Sequence, residues 1–157
     1  MTLVGTLRVI HIAAGIAGLL LGPIAMWAPK RPGLHPLIGE FYFAAVTCVC
    51  ISAAALAGLD WPRSAFFLPV AVGTYAFALP GYLASKRRRR GWLLTHAVGQ
   101  ASSYVAMATA FIVNNVRAVA GVGGIPFAVR SLVPMFVGTC LVAWLGYQVR
   151  VGNRPKP

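Results

Sequence analysis

The chain has 157 residues, 59% of them hydrophobic and only 10% charged, and its mean hydropathy is +0.76. A soluble domain carries about 25% charged residues, so that class is excluded. The net charge of +12 does not make it a nucleic-acid binder, because its cations sit between long apolar segments and no recognition motif accompanies them. Composition predicts an all-α fold: a polytopic membrane helix bundle forming one transmembrane domain over residues 1–157.

Five apolar spans follow in order, at about 9–28, 37–59, 65–84, 92–115 and 132–149. The fourth is long enough to cross ~30 Å of hydrocarbon as one helix at ~1.5 Å per residue. Pro29 to Pro36 is a polar turn holding Lys30, Arg31 and His35. Asp60 to Ser64 is a short turn, with Pro62 as its breaker. Pro69 and Pro80 interrupt the third span, and Lys86, Arg87, Arg88, Arg89 and Arg90 form an unbroken basic run after it. A Gly-rich loop from Arg117 to Arg130 precedes the fifth span, and Gly152 to Pro157 is a polar tail. A cleaved signal peptide is the competing reading of the first span. Its length and Pro29, just after the best small-residue site, speak against that.

Short inner loops collect Lys and Arg. With the amino terminus outside, the inner cations are Lys30, Arg31, the Lys86–Arg90 run, Arg150, Arg154 and Lys156. The outer ones are then only Arg8, Arg63, Arg117 and Arg130. The carboxyl terminus is accordingly inside, and the membrane is a bacterial inner membrane. The basic run also suits anionic lipid headgroups. Trp61, Trp92, Trp144 and Tyr147, at span ends, suit interfacial anchoring.

The polar residues inside the spans are grouped. On the fourth span His96, Gln100 and Ser103 share one helical face, which turns apolar at Met107, and Tyr104 follows Ser103. Such a stripe would lose its hydrogen bonds in lipid, so it faces helices, a cavity or a ligand. On the first span His11, Gly15, Gly18 and Gly22 fall together. Close helix packing accounts for the glycines. His11 is either functional or a neutral imidazole bonded to a carbonyl or hydroxyl. Glu40 and Asp60 are the only acids. Glu40 lies about one turn beyond His35, where it would be protonated, metal-bound or paired with Arg31 or one of Arg87 to Arg90.

The orientation brings His35, Glu40, His96, Gln100, Ser103 and Tyr104 toward the inner face as candidates for binding a ligand or cofactor. His11, Asp60, Asn114 and Asn115 form a second polar cluster at the outer end.

The segments His11-Ile-Ala-Ala-Gly15 with Leu21-Gly22-Pro23, His35-Pro-Leu-Ile-Gly39-Glu-Phe-Tyr42, and Arg90-Gly-Trp92-Leu-Leu-Thr-His96 resemble the bacterial membrane-protein family called domain of unknown function 2306. The resemblance runs through about Asn115. It implies a helical membrane protein with recurring histidines and brings no established reaction. Pro36 and Thr95 stand where the resemblance would put basic residues.

Cys48, Cys50 and Cys140 read as small hydrophobes rather than metal ligands or disulfides. No metal site is expected, and no phosphate loop or nucleophile elbow is present. The expected function is a polar, histidine-containing intramembrane site near the inner face, suited to a small ligand or to a redox cofactor such as haem b or a quinone. The alternatives are a small proton-coupled transporter using Glu40 and the histidines, or a non-catalytic accessory subunit of a membrane complex; the expected partners are the lipid bilayer and a homo-oligomer or membrane complex.

Overall fold

The computed structural model describes residues 2–30, 33–120 and 126–152. Five helices run through them: α1 Leu3–Trp27, α2 Leu34–Leu59, α3 Phe67–Arg87, α4 Trp92–Ala120 and α5 Phe127–Gly152. Their ends follow from local chemistry. The Thr2 hydroxyl accepts a bond from the Gly5 N–H at 3.2 Å and caps α1. Ala28 precedes Pro29 and is extended (φ −56°, ψ 139°), which ends the helix. Gly33 turns the chain at φ +114°, a conformation that L side chains resist.

α2 starts three residues before the expected Leu37, which puts His35 and Pro36 in its first turn. A first-turn proline lacks an N–H that has no intrahelical partner anyway, so Pro36 does not delay the helix. The same reasoning covers Pro69, the third residue of α3, while Pro80 sits inside a helix that continues to Arg87. Lys86 and Arg87 therefore form the last turn of α3, where positive charge suits the carbonyl end. Arg88 (φ +44°) and Gly91 (φ +78°) then reverse the chain.

Helices α1, α2, α3 and α5 are each long and apolar enough to cross a membrane, and the chain is an integral membrane protein. The fourth predicted span is a helix but not one of these four. His96, Gln100, Ser102, Ser103, Asn114 and Asn115 make it more polar than the others. Large apolar side chains are exposed along the outward faces, among them Ile12, Ile16 and Leu20 on α1 and Leu132, Phe136 and Leu141 on α5. In water such faces would be a liability; against lipid they are the expected surface.

The chain forms two compact units, residues 1–76 and 77–157, with the boundary inside α3. In the first unit α1 and α2 pack antiparallel, since His11 meets Ser52 while His35 meets Ala25. Gly18 and Gly22 of the predicted glycine face are buried. Gly15 has no neighbour within 4 Å of where a Cβ would stand. Phe43 stacks on Tyr75 with ring centroids 6.2 Å apart.

In the second unit α4 and α5 also run antiparallel. Arg130 lies against Val113, Gly138 against Val105, and Gly146 against Val98. The inward face of α5 therefore steps through Arg130, Pro134, Gly138, Val142 and Gly146 at helical spacing. The last turns of α3 meet α4 where Gly81 faces Gly99.

Candidate functional site

The polar stripe of α4 belongs to the second unit and is built on a crossing of two glycines. A Cβ on Gly99 would stand 2.8 Å from the Phe77 carbonyl oxygen and 2.9 Å from the Gly81 Cα. Without side chains the two backbones come close enough for α4 to reach the α3 carbonyls. His96 Nδ1 lies 3.0 Å from the Gly81 oxygen, and the Gln100 Nε2 amide donates to the Ala78 oxygen at 2.9 Å. Because its partner is a carbonyl, Nδ1 of His96 carries a proton and donates it. Ser103 is fully buried and donates to the Gln100 oxygen at 2.8 Å. Met107, where the stripe turns apolar, is buried as well. Tyr104, the next candidate, is half-buried.

In the first unit the end of α1 is covered by two cationic or polar side chains. The last carbonyls of a helix lack intrahelical donors, and here Lys30 Nζ donates to the Met26 oxygen at 2.6 Å and to the Ala25 oxygen at 3.0 Å. His35 Nδ1 also donates to the Ala25 oxygen, at 2.9 Å. Partial burial holds the Lys30 ammonium below the usual lysine range. Glu40 is half-buried one turn further along α2. Thr47, on the same face, donates to the Phe43 oxygen at 2.8 Å. Arg31, an expected partner of Glu40, lies outside the described residues.

His11 takes the second of its two sequence readings in part: its Nδ1 is 3.0 Å from the Ser52 hydroxyl. Ser52 is buried and lies 2.7 Å from the Cys48 oxygen, to which it donates. That leaves the hydroxyl oxygen to accept from His11 Nδ1–H. Asp60 accepts instead from Ser64 at 2.7 Å. Asn114 and Asn115 donate back to the Ala110 and Phe111 oxygens of their own helix.

Of the predicted inner candidates, His35 and Glu40 belong to the first unit, and His96, Gln100, Ser103 and Tyr104 to the second. Of the outer ones, His11 and Asp60 belong to the first, and Asn114 and Asn115 to the second. Along the basic run, the Arg88 guanidinium lies 5.4 Å over the Trp92 ring and the Lys86 ammonium 5.2 Å over Tyr82. Cys48 is half-buried, Cys50 buried and Cys140 exposed, and all three are free thiols. Among the described residues no three His, Cys, Asp or Glu side chains are grouped to hold a metal ion.

Three participants were not singled out from the sequence: Ser52, Lys30 as a helix cap, and Arg130. A hydroxyl at helical spacing from the buried α2 face could have marked Ser52. Lys30 three residues after the helix could have been read as a cap. No local signal separates Arg130 from the other outer cations.

No protein-family model matches the chain, and no curated protein or solved structure matches it.

Proposed function

We propose that all five helices cross the bilayer, with the amino terminus outside, and that the chain is a non-catalytic helical subunit of a bacterial-type inner membrane, acting in a homo-oligomer or a larger complex. One observation carries this reading. The His96–Gln100 stripe, the most polar face in the spans, is directed at the α3 backbone and closes a helix–helix seam. A donor paired in this way can sit in hydrocarbon, so α4 crosses despite its polarity. The orientation rests on the inward excess of Lys and Arg. The Lys86–Arg90 run, with Arg88 laid on Trp92 and Lys86 on Tyr82, then meets anionic headgroups at the inner surface. The three histidine segments support membership of the domain of unknown function 2306 family, which likewise carries no established reaction.

A second reading keeps a redox cofactor, haem b or a quinone. In its favour, His35 and His96 each donate Nδ1–H to a backbone carbonyl. Histidines that ligate a metal are commonly held by a hydrogen bond of this kind.

The visible absorption spectrum of the detergent-purified protein, before and after dithionite, tests both. The subunit reading expects no Soret band from well-folded protein. A reducible Soret band lost in His96→Ala or His35→Ala would overturn it in favour of haem.

A further inference from the structure

Arg130 is the one charged side chain that is buried among the described residues, at 8% exposure. It is the fourth residue of α5, turned against α4. Its Nη1 reaches the Val113 oxygen at 3.4 Å, a long and weak bond, and its buried Nε has no hydrogen-bond partner. No carboxylate side chain of its own unit can neutralise it, because both acids of the chain, Glu40 and Asp60, lie in residues 1–76. A guanidinium is always protonated and carries five donors. A guanidinium buried without a carboxylate side chain from its own unit is among the most costly groups a fold can hold.

We propose that Arg130 is the core of an anion site that takes a phosphate oxyanion, supplied by a phospholipid headgroup. The guanidinium fork matches two phosphate oxygens in one plane. The first turn of α5 adds backbone N–H groups at the positive end of the helix. The surroundings favour lipid as the source. Phe127, Val129, Leu132 and Val133, all around Arg130 in sequence, are exposed apolar side chains facing where acyl chains would lie. The exposed Asn114 neighbours Val113 and marks the polar boundary at the same level. This inference depends on the chain being a membrane protein, not on its being a subunit.

The test uses the full chain in detergent, stripped of phospholipid, with thermal unfolding and lipid retention in native mass spectrometry as readouts. Phosphatidylglycerol should raise the melting temperature, whereas diacylglycerol, with the same tails and no phosphate, should not. Arg130→Met should weaken phosphatidylglycerol binding roughly tenfold to a hundredfold. Arg130→Lys, which keeps the charge and loses the fork, should fall between. Because the Lys86–Arg90 run also attracts anionic lipid, the difference between variant and parent is the quantity read. An equal shift from inorganic phosphate, lost with Arg130, would identify the free ion as the source of the same oxyanion. Equal rescue by diacylglycerol, or undiminished binding in Arg130→Met, would overturn the site. Should the methionine variant fail to fold, the difference in phosphatidylglycerol binding between the lysine variant and the parent still decides.

Discussion

Gly81 and Gly99 meet backbone against backbone: a Cβ on Gly99 would stand 2.9 Å from the Gly81 Cα, and one on Gly81 would stand 3.0 Å from the Gln100 backbone nitrogen. This contact brings α3 carbonyls within reach of His96 and Gln100, and so makes the polar stripe of α4 a seam.

Gly99→Ala should therefore destabilise the protein, by roughly 1–3 kcal/mol in detergent melts, because the obstructing atoms are main chain and cannot rotate away. Gly15→Ala is the control. Open space surrounds that position, and alanine's better helix propensity should leave stability unchanged or raised by up to about 1 kcal/mol. Equal losses at both positions would show that the crossing is not the constraint.

Gly138 makes a different prediction. The atoms that a Cβ would strike there belong to the Val105 side chain. Gly138→Ala should be destabilising alone and largely restored by Val105→Ala, since the second change opens the space the first fills. Strict additivity of the two in thermal melts would contradict this packing.

His11 and Ser52 link α1 to α2 through one hydrogen bond. A double-mutant cycle with His11→Phe and Ser52→Ala should give a coupling of about 0.5–1.5 kcal/mol, the range for a hydrogen bond between membrane helices. A coupling of zero would mean that the two act independently. Gln100→Leu, which removes the bond to Ala78, should cost about 1 kcal/mol and leave the protein inserted.

The orientation is directly measurable. With Cys48, Cys50 and Cys140 replaced, a cysteine at Thr2 should react with an impermeant maleimide from outside, and one at Gly152 only from inside. The reverse pattern would invert the proposed topology, and labelling of both from one side would remove α4 or another helix as a crossing.

Hydropathy and chain breakers made the five helices legible without coordinates. A continuous apolar run can bury its surface only in lipid or a core, and Pro29 holds Ala28 extended and so ends the first helix. The observed helices exceed the predicted spans at polar and apolar ends alike: Lys86 and Arg87 join α3, and Phe127 to Arg130, expected in a loop, open α5, because helix geometry does not stop where hydropathy does. The donor stripe of His96 and Gln100 was equally legible, since spacing alone places both on one face. Their acceptors were not. Ala25, Ala78 and Gly81 contribute backbone carbonyls, which every residue carries, so no residue type marks which one a distant imidazole or amide will meet. The same holds for Arg130. The sequence counts it as one more outer cation, and only the antiparallel register of α4 and α5 decides that it is buried against Val113. Composition determines that this chain belongs in a membrane. The partners of His35, His96, Gln100 and Arg130 are set by which backbones approach one another, a property of the packed helices and of no single segment.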